Sequence, residues 1–537
     1  MKSHFYARAL CLMLPLLTSC ESLLPGDMQP SQRAVPSRTI TVGLVQVGSL
    51  DPPRAVGEGA HTGLRTACDP LISLDPAIPE PRPALVMRWT MSPDAKLLSL
   101  KLRPRVNYQD GSPVDATSIR ENLSRAVRPT TASPWASLLS AVSGYQDVVT
   151  GTAEHLSGLK VTDQTTLQIH LDRPGSDFPG SLSHPGLTPV SPGSLANEPV
   201  TPSCAGPYKV EAGAKEGDLR MTKAGGSRSK NEAFTNSGKG FIETILIRNF
   251  ESADVAFEAF KAGELDVSPV PEQRVSEALS MDRDHYQQLI PETSYLAFDP
   301  AGIPDPRVRK AISLSIDRLV IIDAAFGDLR QPALRWIPEL FGSRIESRCS
   351  ESVRKIADPT RAKVMLTEAG VDPATLKLSL AFDSSRTGRL VTQAMQVQVK
   401  DALGIDMVPL PMEPEAFEVS LKQRGKPMIW MLTTIVDVPT LDQVLGGSFG
   451  SGSADNRIGF DDPETTALLL SASSAVDPDE RYKKYSEVED RVCDLMPASP
   501  LWNASRHWMF RRSTVEFQDR AKIDLVGSPV LRHVAGA

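Results

Sequence analysis

Short runs that alternate apolar with polar residues recur along this chain, separated by stretches of helical periodicity, and that interleaving restricts it to a mixed α/β architecture. Thr39-Ile40-Thr41-Val42-Gly43-Leu44-Val45 reads as a strand, as do Leu97 to Leu102, Thr166 to Leu171 and Thr244 to Ile247. Between them, Val308, Ile312, Ile316, Leu319 and Val320 fall on one helical face, with Asp305-Pro306 as its start. Asp358-Pro359 opens a second helix that ends at Gly370, and Glu480 to Met496 form a third that ends at Pro497. Gly446 to Ser453 reads as a flexible Gly/Ser loop. No repeat of solenoid length is visible. With 537 residues, two or three domains are expected.

The amino terminus reads as an address. Lys2 and Arg8 precede a short apolar run, Ala9 to Leu17, too short for the roughly 20 residues that cross a bilayer. Basic start, apolar stretch and small residues make an export signal. It ends in Leu17-Thr18-Ser19-Cys20, which resembles a bacterial lipobox, with Cys20 acylated (palmitate) as the first mature residue; the alternative is an ordinary signal with a chance cysteine. Glu21 to Pro36 then serves as a tether. The expectation is residues 1–19 as signal, 20–37 as tether, and a protein lipid-anchored on the extracytoplasmic face of the cell membrane. Cys68, Cys204, Cys349 and Cys493 remain. In an oxidising compartment four cysteines suggest two disulfides with three possible connectivities, against four buried thiols as the alternative.

Chemistry-bearing patterns are sparse. A net charge of -7 argues against nucleic acid. Gly446-Gly447-Ser448-Phe449-Gly450 fits the nucleophile elbow formally, but loop residues follow where a helix is needed. The eight histidines form no ligand pair at helical spacing, and a lone His184 or His507 reads as a packing residue. No Cys-x-x-Cys and no phosphate-cradling Gly-rich loop is present, so neither a metal, a cofactor nor an ATPase activity is expected. A binding protein is favoured over an enzyme.

Three further segments carry a resemblance. Pro83 to Trp89, Leu98 to Arg103, and Tyr108-Gln109-Asp110-Gly111-Ser112-Pro113-Val114-Asp115-Ala116 are similar to the signature region of the family 5 extracellular solute-binding proteins, the oligopeptide- and dipeptide-binding components of bacterial ABC importers. Thr131 to Ser137, His184 to Pro192, Gly206-Pro207-Tyr208, Ala262 to Asp266, Tyr295 to Phe298, Val308 to Ala311 and Ile316-Asp317-Arg318 follow in the family's order. The Asp-Gly-Ser-Pro turn has its own logic: Gly111 supplies a positive φ and a helix opens beyond Pro113.

The resemblance implies a two-lobed, type II periplasmic-binding-protein-like α/β fold with a small inserted domain. By motif, lobe one is 38–68, 163–293 and 509–537, the inserted domain 69–162, and lobe two 294–508. That mapping implies disulfides within Cys68/Cys204 and within Cys349/Cys493, since a lobe-to-lobe bridge would hinder closure. It also implies ligand contacts. Val436 to Leu445 resembles the stretch whose first Asp pairs with the ligand's α-amino group, and Asp437 holds that place; the alternative is a turn-capping aspartate. The preceding strand, Ile429 to Thr434 with Thr433 and Thr434 at its end, offers backbone to an extended peptide. Tyr295 is a further cleft-wall candidate or a packed tyrosine. The chain departs from the family at Thr434, where an aromatic is usual, at Cys204-Ala205, and at Ala224 to Ser229. Expected partners are a peptide or other small solute and the ABC permease and ATPase subunits, the binding protein itself acting as a monomer. The alternative is a diverged envelope regulatory or scaffolding lipoprotein.

Overall fold

In the computed structural model the described residues are 39–511 apart from 76–78, 197–201, 225–241, 282–284 and 423–427, with 516–517, 524, 527–529, 531 and 534–535 beyond. Cys20, its tether and the divergent stretch after Ala224 lie outside them.

Strand β1 (Thr39–Val45) forms where the alternating run begins, and Ile40, Val42 and Leu44 are almost fully buried. It pairs in parallel with β8 (Thr244–Phe250) and β9 (Val267–Pro269), while β6 (Tyr208–Ala212) and β7 (Leu219–Lys223) extend the sheet antiparallel beyond β8. Inserted between β1 and β6 is a separate four-stranded antiparallel sheet. Its strands are β2 (Val86–Met91), β3 (Leu97–Leu102), β4 (Leu159–Asp163) and β5 (Thr166–His170), in the order β2-β3-β5-β4. Leu98, Leu100, Leu167 and Ile169 face a core shared with Ile119 and Leu123 of helix α2 (Ala116–Val127), which Asp115 caps as the turn at Gly111 (φ 89°) delivers it. Because β5 pairs with both β3 and β4, this sheet runs past residue 162, the limit expected for the inserted segment.

Two long strands join the halves of the molecule. β10 (His285–Phe298) and β15 (Ala498–Phe510) pair antiparallel along most of their length. At one end β15 continues the first sheet through β9; at the other, β10 carries β14 (Ile429–Ile435), then β12 (Lys377–Asp383) and β13 (Asp406–Met412), and the short β11 (Arg330–Pro332) flanks β15. Between the pairs Leu289↔Ser505 and Thr293↔Asn503 the register shifts: β10 spends two more residues than β15. Pro291 sits in this bulge, where its missing N–H breaks no ladder bond.

Two sequence expectations meet the structure with differences. The helix expected over Asp305 to Val320 is two: α3 (Pro306–Leu314), capped by Asp305, and α4 (Arg318–Phe326), capped by Asp317. The break rotates Leu319 and Val320 outward to 40% and 57% exposure and buries Arg318, which donates to Pro500 O, Arg354 O and Ser499 Oγ. Buried carbonyls that need donors override the apolar periodicity there. The loop expected over Gly446 to Ser453 is helical up to Phe449, because a π turn, Asp442–Gly446, runs into Gly447–Phe449 and buries Leu445 and Phe449. The helices begun at Pro359 and ended near Met496 form as expected, the second over Pro478–Leu495. Cys68 bonds Cys204 and Cys349 bonds Cys493, with Cα atoms 5.5 and 5.2 Å apart. Among the described residues no helix is long and apolar enough to cross a membrane.

Candidate ligand-binding cleft

Strand β14 is the platform. One edge is fully laddered to β10, from Phe298↔Ile429 to Glu292↔Ile435. Its other edge pairs with β12 only at Ile429 and Trp430. From Met431 onward that edge has no strand neighbour among the described residues, which leaves room for an added strand. The side chains there are small: Thr433 is exposed, its hydroxyl 3.0 Å from Ser294 Oγ, and Thr434 is half-buried opposite Thr293, whose hydroxyl donates to Asn503 Oδ1 at 2.8 Å.

The chain leaves β14 through Val436 and Val438, both buried, with Asp437 projecting between them. Val436 N–H donates to Pro291 O at 2.9 Å, so the bulge of the long strand fixes where the aspartate stands. The Asp437 carboxylate meets no hydrogen-bond or ion-pair partner among the described residues, and the turn-capping alternative is not formed. Although the residue stays open to solvent, the surrounding walls raise its pKa by desolvation; Asp455 adds to that and Arg65 opposes it. Tyr295 is 5% exposed and set edge-on to Trp336 at 5.2 Å, and burial pushes its hydroxyl up to about 12; it lies within the core behind the platform.

Facing charge comes from helix α1 (Gly57–Ala67), whose Arg65 reaches Ser528 Oγ at 3.2 Å and Asp524 at 3.9 Å. Beside it lies an aromatic group that sequence reasoning did not assemble. Trp135 and His184 ring centres are 4.3 Å apart, and His61 is 5.1 Å from each. Trp135 Nε1–H donates to Ala55 O, and Gly186 N–H donates to His184 Nδ1. A Cβ on Gly186 would lie 2.2 Å from Trp135, so only glycine admits the ring. Burial holds His61 down to about 4 and His184 well below its ordinary value, and neighbouring Arg65 reinforces both; the group is neutral. The legible part was the spacing of Glu58, His61 and Arg65 on one face of a helix.

An open strand edge, an unanswered carboxylate at its end and two lobes joined by paired crossing strands define a protein that closes on a solute. Residues 80–456 match the model of the bacterial extracellular solute-binding proteins, family 5, and the chain belongs to that family. This is a family of extracytoplasmic binding proteins, not of enzymes. Two Escherichia coli relatives are each 24% identical: the probable deoxycholate-binding periplasmic protein YgiS, over 93% of this chain and 94% of its own, and the periplasmic murein peptide-binding protein MppA, over 90% and 92%. The unliganded open form of MppA superposes with a TM-score of 0.82 at 21% identity, covering 93% of this chain and 98% of that one. Haemophilus influenzae OppA in complex with the peptide RPPGFSPFR superposes at 0.66, with 21% identity and coverage of 93% and 99%.

Proposed function

We propose that this protein captures peptides with a free amino terminus and delivers them to the permease and ATPase of an ABC importer, acting as a monomer anchored to the membrane through lipid on Cys20. The observation that carries the peptide reading is the Asp437 carboxylate, held without a partner at the end of a strand edge that an extended backbone can join. An α-ammonium supplies the missing countercharge, and backbone pairing along Met431 to Thr434 supplies affinity that does not depend on side chains. The relatives' names point in two directions, peptides and deoxycholate. An unpaired aspartate favours the first, because a bile acid brings a carboxylate and no ammonium. Small Thr433 and Thr434 leave space beside the peptide. We place the hinge at the register shift between Leu289 and Thr293 and opposite it between Asn503 and Ser505, with the inserted segment extended beyond residue 162 to take in β5.

Competition in a mixture tests this. The protein is incubated with a protein digest mixed with its N-acetylated copy, then separated from free peptide and analysed by native mass spectrometry. Bound masses are expected to be short, unacetylated peptides. Equal recovery of both forms, or recovery of none, contradicts the reading.

A further inference from the structure

The loop that carries Asp437 is tied at both ends, and its second tie crosses from one part of the molecule to another. The first tie is Val436 N–H on Pro291 O, at the bulge of the crossing strand. At the far end Asp442 N–H donates to Asp177 Oδ2 at 3.3 Å. Asp177 lies in the chain between β5 and β6, just before the helical turn Phe178–Ser181. Phe178 and Leu182 are buried in the core of the inserted sheet, and Gly175 N–H donates to Ala95 O, in the turn between β2 and β3, at 2.9 Å. Asp177 is therefore fixed to the inserted segment, while Asp442 runs into Val444 and Leu445, which share a core with Trp430 and Leu432 of β14.

The Asp177 charge is answered from the β14 side of this boundary. Arg481, in the helix Pro478–Leu495, places Nε 2.8 Å from Asp177 Oδ1, as an ion pair too bent to be a hydrogen bond. Both side chains are largely buried, at 14% and 15% exposure. From the same helix Tyr485 OH donates to Asp442 Oδ1 at 3.1 Å. Two further contacts close the boundary. Ser176 N–H donates to Ser473 O at 2.9 Å, and a Cβ on Gly180 would lie 2.5 Å from Thr440 Cγ2. Between the two ties Val438, Pro439, Thr440 and Leu441 are buried, and only Asp437 is exposed.

Burial raises the Asp177 carboxyl, Arg481 opposes that, Asp442 adds to it, and the N–H groups of Asp442 and Leu441 favour the charged form. A buried ion pair is a weak source of net stability, but it holds its partners to one arrangement, because separating them strands a charge. Recognition needs such an arrangement: a binding group works when it is held within about 0.5 Å of its productive place. We propose that Asp177 is a positioning residue for ligand recognition. From the inserted segment it fixes the loop that presents Asp437, and so sets how strongly the cleft distinguishes a free amino terminus from a blocked one. The inference rests on the peptide reading above.

The test reads one ratio by calorimetry on the full mature protein: the Kd of N-acetylated tetra-alanine over that of free tetra-alanine. The wild type is expected at about thirtyfold or more. Asp177→Ala should cut the ratio about tenfold or more, through weaker binding of the free peptide. Gly180→Ala, which pushes Thr440 aside and leaves Asp177 in place, should cut it about threefold or more. Leu100→Ala, a truncation in the core of the inserted sheet away from the loop, should lower Tm and leave the ratio unchanged. An unchanged ratio in Asp177→Ala overturns the positioning role, however much stability that protein has lost, and so does an equal fall in Leu100→Ala. If Asp177→Ala does not fold, Gly180→Ala decides, and an unchanged ratio there overturns the role. In each of these results the wild-type preference stands, and the peptide reading with it. A wild-type ratio near one, or no binding of either form, removes the peptide reading and the positioning role together.

Discussion

At the scale of the residue, the proposed peptide reading turns on Asp437, a carboxylate that meets no partner among the described residues. Burial raises its pKa, so the folded state holds the proton more tightly than the unfolded chain. Below the unfolded Asp value, about 3.9, both states are protonated and the residue costs nothing by ionising. As pH rises through the raised folded value the folded state must give up that proton, and stability falls. Asp437→Asn should therefore raise the ligand-free Tm at pH 7, and the gap over the wild type should widen from pH 4 to pH 7. Thermal melts across that range check it; a gap that closes as pH rises contradicts it. Arg318 is a second desolvated charge, but one whose donors are answered. Burial lowers it only to about 9, so it stays charged at neutral pH while answering carbonyls of three segments. Arg318→Met strands those acceptors at ~1–3 kcal/mol each, and urea unfolding should show a loss of about 3 kcal/mol or more. The place of Asp437 was readable from its flanking motif. Its lack of a partner was not, since that depends on what α1 and the Asp455 turn bring near it.

At the scale of elements, legibility followed how local the cause was. Strands with clean alternation, and helices announced by Asp-Pro and closed by Gly370 or Met496, lie where their residues place them. The reading failed where a distant demand intervened: Arg318 split one helix in two to reach Pro500 O, and buried Leu445 and Phe449 pulled a Gly-rich segment into helix. The disulfides tie elements far apart in sequence, 136 and 144 residues, so each removes much freedom from the unfolded chain. Replacing Cys68 and Cys204 together by alanine should lower stability by roughly 2–5 kcal/mol, measured by denaturant melts under oxidising conditions. Since both bonds join residues on the same side of the crossing strands, ligand affinity should change far less than stability. A large loss of affinity with stability unchanged would count against that placement.

The whole molecule is organised around β10 and β15, which belong to both halves and carry the register shift on which Asp437 is hung. If Cys20 bears the lipid, Cys20→Ala should release the protein from the membrane fraction or leave its precursor uncleaved; normal processing with unchanged membrane retention would remove the anchor. The central claim is that the cleft recognises an α-ammonium through Asp437. Its most direct test is calorimetry of one short peptide, free and N-acetylated, against wild type and Asp437→Ala. The account predicts that acetylation and the substitution each weaken binding by about 2–5 kcal/mol, and that together they cost little more than either alone, because both remove one ion pair. Equal affinity in all four combinations would contradict it and take Asp437 out of the site.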